Sequence, residues 1–176
     1  MSNTDLLQQY RDWRKANDEK TLNMLNNRLL FELFLAGRLP MGFIAGLKVK
    51  SVDLNECKIT VPYRWMNQNP FNSTYFAVLS MAAEMSTGVF GMLMTNKSQP
   101  SVSMLVTKVN SEFVKKATGI TTFTCNQGKL INEVVEKAII TGEGQDFTAI
   151  TTGTSENGDV ESRFSVQWSF KLRTKK

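Results

Sequence analysis

Residues 69–95 read NPFNSTYFAVLSMAAEMSTGVFGMLMT. Taken as a helix, this stretch is apolar or small on nearly every face. Between Arg64 and Lys97 the one formally charged side chain is Glu84. A helix that is apolar all round belongs inside a structure. A carboxylate within it is costly unless something pairs it, hydrogen-bonds it or uses it. The stretch therefore predicts a central buried helix, over about 74–95, carrying a single acid.

On the C-terminal side, Ser98-Gln99-Pro100 stops the helix and a period-two pattern begins. Ser101–Ser111 and Gly119–Asn126 read as strands joined through Val114–Ala117, and Phe147–Thr154 and Val160–Leu172 read as two more. The last two flank Glu156-Asn157-Gly158-Asp159, whose Asn-Gly is a strong hairpin signal. Gly128–Lys137 fits either a short helix or an extended turn. On the N-terminal side, Leu47–Asp53 and Cys57–Val61 alternate as a hairpin, preceded by Pro40–Gly46 read as a loop. Two amphipathic helices are expected before that, over about 5–16, ended by Asn17-Asp18, and over about 21–36, closed by Gly37. They suit either a lid or a cover for the sheet. The fold class is therefore α+β: an antiparallel sheet wrapped around a long central helix, with extra N-terminal helices. The division is a helical extension over residues 1–40 and a single domain over 41–176.

A chain of 176 residues with 41% hydrophobic content suits one well-buried core. It contains no histidine, which excludes a Ser-His-Asp triad, a Cys-His dyad, His-ligated metal and a His base. With only Cys57 and Cys125 no zinc site is expected. Acid–base work falls to Glu, Asp, Tyr, Lys or an activated water. The start of the chain lacks an export layout, and its greasy runs fall short of the ~20 residues of a membrane span. A cytoplasmic protein with reduced, buried thiols is expected, one Cys57–Cys125 bridge being the alternative. The net charge of +5 favours anionic partners. Its cations gather near the ends (Arg11, Arg14, Lys15, Lys171, Arg173, Lys175, Lys176) without the interleaved aromatics of a nucleic-acid platform, so nucleic acid is not expected.

Asn69-Pro70-Phe71-Asn72-Ser73-Thr74-Tyr75-Phe76-Ala77 is followed by Glu84, nine positions after Tyr75. This segment, the element order and the later Val109–Gly119 segment (VNSEFVKKATG) resemble the hotdog-fold thioesterase superfamily. The resemblance is to its PaaI-like branch and to divergent thioesterase-like proteins. There the helix approach reads Asn-x-x-Gly-Thr-x-His-Gly-Gly with an acid nine after the His. Asn69 and Glu84 match and Ser73 stands in for the Thr, whereas Tyr75-Phe76-Ala77 stands in place of His-Gly-Gly. The resemblance implies a hotdog fold over roughly Phe43–Leu172. It also implies a homodimer, possibly paired into a tetramer. In it, the helix-start N–H groups at Tyr75, Phe76 and Ala77 of one chain polarise a carbonyl facing the other chain's acid.

The expected activity is acyl-CoA thioesterase, with coenzyme A as part of the substrate and no other cofactor. Glu84 is the base or nucleophile, its pKa raised by burial, and Asn69 positions a water. Ser80, Thr87 and Gly88 lie at helical spacing from Glu84 on a stripe of small residues. Either the stripe receives a ligand, with Ser80 or Thr87 bonding the carboxylate, or it is a packing seam with Glu84 paired to Arg64 or a lysine. Asn72 is the expected helix cap. Lys115 and Lys116 suit the phosphates of coenzyme A, or are simply solvated. The alternative function is a non-catalytic hotdog dimer that binds an acyl or aromatic ligand, its helix entrance reshaped by Tyr75 and Phe76.

Overall fold

Residues 2–173 are described by a computed structural model; Lys175 and Lys176 lie outside them. Three helices come first: α1 (Asn3–Asn26), α2 (Arg28–Arg38) and α3 (Pro40–Ala45). Ser2 and Asp5 form a reciprocal cap at the start of α1. The expected stop at Asn17-Asp18 does not occur. Asn17 Nδ2 donates back to the Trp13 carbonyl at 2.8 Å, and Asp18 accepts from Arg14 at 2.5 Å one turn earlier. Both polar side chains are thus absorbed into helical bonding, and the break falls at Asn27, whose side chain caps α2. Nor is Pro40–Gly46 a loop. Pro40 occupies the first turn of α3, where its missing N–H costs nothing, and Gly46 ends the helix at φ 74°.

The strands are β1 (Lys48–Val52), β2 (Cys57–Pro62), β3 (Val102–Phe113), β4 (Ile120–Cys125), β5 (Gln145–Thr154) and β6 (Val160–Leu172). They form one antiparallel sheet in the order β1-β2-β4-β5-β6-β3. The β1–β2 and β5–β6 hairpins fall where the alternation places them. β3 and β4 follow each other in the chain but are not neighbours. β3 crosses to the far edge and pairs with β6 along its whole length, from Val102 opposite Leu172 to Phe113 opposite Ser162. The ambiguous stretch after β4 is a helix, α5 (Gly128–Thr141), with α1 packed on it through Arg11–Glu136 at 2.6 Å and Arg14 to Asn132 at 2.5 Å.

The central helix α4 (Phe76–Thr95) lies against β2, β4 and β5 and buries twelve of its residues, among them Ala82, Ala83 and Phe90 with no exposed surface. By length and composition it is apolar enough to cross a bilayer, which corrects the expectation that no run reaches that size. Its apolarity is that of a core element: the sheet takes one side, and α1, α3 and α5 approach others. Cys57 and Cys125 are cross-strand partners on β2 and β4, both buried and unbridged, and burial pushes the Cys125 thiol up to about 11. The architecture is the hotdog fold, with helices added at the N-terminus.

Candidate functional site

Glu84 sits midway along α4, half-buried, on the side turned toward β6 and β3. Its Oε1 lies close over Gly88, beside the indole of Trp168. The carboxylate is on the wall of a largely apolar cavity of about 270 Å³ shared with Phe31, Phe34, Met85, Met104 and Trp168, with Arg38 also on its lining but not paired to the acid. Among the described residues no cation pairs with it and no donor reaches its oxygens. Arg64, the expected partner, instead donates to the Ile44 carbonyl at the end of α3. Burial, unopposed by any partner, pushes the Glu84 pKa above the ordinary carboxylate value.

The stripe around Glu84 is largely a packing seam. Gly91 leaves room for the Met104 methyl, and Gly88 for the Trp168 ring. Neither hydroxyl on it meets the carboxylate. Ser80 donates to the Phe76 carbonyl at 2.9 Å. Thr87 donates to the Glu84 main-chain carbonyl at 2.9 Å and accepts from Trp168 Nε1 at 2.9 Å. Thr87 therefore anchors Trp168, and Trp168 forms the floor beside Glu84.

The helix entrance is built by the loop before it. Asn67 is buried and its side-chain amide donates to the Ala45 and Pro62 carbonyls at 2.8 and 2.7 Å, while its main-chain carbonyl accepts from the Tyr75 N–H, which is therefore not free to polarise a substrate carbonyl as expected. Asn69 is spent inside the loop, accepting from the Phe71 and Ser73 N–H groups and donating to Ser73 Oγ at 3.1 Å. It shapes the turn at the edge of the groove before the helix, with its side-chain bonds spent inside the loop. Asn72 does not cap the helix either; it takes the left-handed conformation, φ 58°, at the loop tip. Tyr75 is the N-cap residue and no side chain caps α4. Among the described residues the N–H groups of Phe76 and Ala77 have no acceptor, as expected for an uncapped start.

This entrance opens on its own groove of about 600 Å³, lined by Phe71, Tyr75, Phe76, Phe113, Lys115 and Lys116. The aromatic rings contact one another, Tyr75 to Phe76 at 4.8 Å and Phe76 to Phe113 at 6.3 Å between centroids. Lys115 is paired with Asp159 at 2.7 Å, and Lys116 donates to the Phe71 carbonyl at 3.1 Å.

The expected residues thus fall into two groups within one chain. Tyr75, Phe76, Lys115, Lys116 and Asn69 gather at the helix start. Glu84 and Gly88 line another cavity about 12 Å along the helix, with the anchored Thr87 buried beside them. Two contributors to the Glu84 cavity were missed, and so was one acid on the lining of neither cavity. Trp168 is one; its inward phase on β6, shared with Phe164 and Val166, was visible as alternation. Phe31 and Phe34 of α2 are another, and an apolar helical face carries no sign of which surface it covers. That acid is the buried Glu161, which accepts from Thr121 Oγ1 at 2.6 Å and whose pKa burial also raises.

The sequence profile of a family described as a domain of unknown function (DUF4442) matches residues 27–169. No curated protein sequence matches the chain. Among solved structures, a Pseudomonas aeruginosa protein of unknown function, assigned as a probable thioesterase, superposes with a TM-score of 0.71 at 15% identity, covering 85% of this chain and 99% of that one. A thioesterase from Haemophilus influenzae superposes at 0.60 with 12% identity, over 80% and 88% of the two chains. The PaaI protein of the Escherichia coli phenylacetic acid degradation operon gives 0.57 at 11% identity, over 79% and 88%. At these identities the likeness establishes the fold.

Proposed function

We propose that this chain, which belongs to the DUF4442 family and has the hotdog fold, is a cytoplasmic thioester hydrolase. Its substrate is acyl-CoA or a related thioester, and it acts as a homodimer with its sites between subunits. The observation that carries the reading is the Glu84 carboxylate, unpaired on the wall of an apolar cavity with a raised pKa. Burying an acid without a partner works against stability, and such an acid in a cleft suits a base working near neutral pH.

In the proposed reaction Glu84 takes a proton from water as the water oxygen bonds to the thioester carbon. The carbonyl oxygen gains the negative charge and is held by free main-chain N–H groups at a helix start, where the helix dipole also favours it. The intermediate then collapses, the C–S bond breaks, and the thiolate recovers the proton from the Glu84 carboxyl. Water ends as the hydroxyl of the acid and the hydrogen of the thiol.

One chain cannot supply both parts, because its own helix start is too far from its own Glu84. The sheet edge favours a second copy as the source. β3 is the last strand, and Leu105, Val109 and Phe113 project exposed from it. An open edge of this length with apolar side chains is a template for strand pairing. Antiparallel pairing of two β3 strands about a twofold axis sets the Phe113 end of one beside the Met104 end of the other. Phe113 contacts Phe76 at the helix start, and Met104 lines the Glu84 cavity. That pairing carries the partner's helix start toward this chain's acid.

The exposed Tyr75, Phe76 and Phe113 rings favour a second reading, a dimer that holds an acyl or aromatic ligand without cleaving it. A panel of acyl-CoAs of varied length and aromaticity, run on wild type and Glu84→Gln, separates the two. Hydrolysis that the substitution abolishes supports the enzyme. Ligand-dependent thermal stabilisation without cleavage supports the binder, and unchanged turnover in Glu84→Gln removes the proposed mechanism.

A further inference from the structure

The cavity beside Glu84 does not end at its apolar walls. It continues into a wider hollow of about 730 Å³, the two sharing Phe34, Arg38, Met92 and Met104. Beyond these residues the lining turns polar, through Asn96, Ser101 and Ser103, and it becomes basic. Arg38 comes from the end of α2, Lys97 from the residue after the α4 cap, and Arg173 from the chain leaving β6. The ends of three separate elements thus bring a cation to one mouth. No carboxylate lines it, and among the described residues none of the three is in an ion pair. Lys97 holds its place with φ 60°, a conformation that residues other than glycine seldom adopt. By contrast, Lys115 at the helix-start groove is already neutralised by Asp159.

A passage with an acid at its apolar end and uncompensated cations at its mouth fits a ligand of complementary build. Such a ligand has a slender, weakly polar arm, a reactive group at the arm's tip and a head with several negative charges. About 17 Å of helix separates Glu84 from Thr95 at the mouth, a distance suited to an extended pantetheine arm. Resting on the thioester reading, we infer that this mouth binds the phosphates of coenzyme A. The arm lies along Phe34, Met92 and Met104, and the thioester reaches Glu84. The two guanidinium groups suit phosphate oxygens through paired donors, and the ammonium adds a point charge. The width of the hollow suits a nucleotide head better than a lone phosphate at the end of an arm.

The test is calorimetric titration of coenzyme A and of pantetheine, which has the same arm without phosphates. It is run on wild type, on the Arg38→Gln/Lys97→Gln/Arg173→Gln variant, and on Lys115→Gln/Lys116→Gln. The expected result is at least a tenfold loss of coenzyme A affinity in the triple variant, with a flatter dependence on salt and unchanged affinity for pantetheine. Loss of the cations also collapses the preference for coenzyme A over pantetheine thioesters in KM. The inference is overturned if wild type does not bind coenzyme A. It is equally overturned if the triple variant binds as wild type does, or if the affinity resides in Lys115 and Lys116. Binding that behaves as expected without any thioester cleavage upholds the mouth while removing the hydrolase reading. Thermal midpoints of both variants show that the fold is intact.

Discussion

The carboxylate of Glu84 and the bare Cα of Gly88 share one space. A Cβ on Gly88 lies 3.2 Å from Glu84 Oε1, and the same Cβ lies 3.0 Å from the Trp168 ring. Gly88→Ala is therefore expected to push the carboxylate or the indole aside by a few tenths of an ångström. Alanine in a helix interior gains about 1 kcal/mol over glycine, which offsets the crowding. The predicted outcome is a thermal midpoint near that of wild type, with turnover lowered about 10- to 100-fold, the scale of a misplaced catalytic group. Calorimetry and kinetics on the same preparation check the split; loss of stability in step with activity counts against a positioned carboxylate.

Glu84 also sets a pH dependence with a definite sign. Its raised pKa means that the folded protein holds the proton more tightly than the unfolded chain. Its contribution to stability is fully present below the unfolded carboxylate value and is lost as pH rises through the folded one. Glu84→Gln cannot ionise, so its thermal midpoint should match wild type near pH 4 and exceed it by about pH 8. Wild-type hydrolysis should rise over the same interval, its limb lying above the usual glutamate range. A stability gap that widens toward acid reverses the sign and refutes the desolvated acid.

Much of this arrangement was legible in residues 69–95, because burial leaves a compositional mark: a helix with no polar face and one acid. The hairpins were legible for the same kind of reason, their alternation and the Asn157-Gly158 turn being local. The partner of β3 was not. Its pattern suits any neighbour, and its pairing with β6 is decided by packing at long range. Pro40–Gly46 has the residues of a turn, yet a first-position proline and a terminal glycine equally bracket one short helix. Asn17 and Asp18 signal a stop in general and were overridden by side-chain bonds to Trp13 and Arg14. At the site, Glu84 could be singled out, but not the α2 rings and Trp168 that make its cavity.

The open edge of β3 makes the oligomer testable apart from the chemistry. Leu105 and Val109 point outward, so Leu105→Glu/Val109→Glu gives each edge two like charges to set against a second copy, a destabilising arrangement across paired strands. Light scattering is expected to move from twice the chain mass to the chain mass, and thioester turnover to fall to background. Both sites lie outside the core, so the circular dichroism spectrum should persist. An active monomer defeats the idea that one chain's helix start serves the other's acid.

Thr87 links the packing to the chemistry and can be tested by two substitutions of similar size. Its hydroxyl accepts from Trp168 Nε1 at 2.9 Å, and Thr87 is almost fully buried. Thr87→Val keeps the shape and removes the acceptor, leaving a buried N–H unpaired at a cost of about 1–3 kcal/mol. Thr87→Ser retains the acceptor and loses a methyl, a cost of about 1 kcal/mol. Because the indole forms the floor beside Glu84, the valine variant should also bind acyl ligands more weakly, whereas the serine variant should not. Urea titrations and acyl-CoA KM values distinguish them. Equal destabilisation by both, with unchanged KM, assigns Thr87 to packing alone and detaches Trp168 from the site.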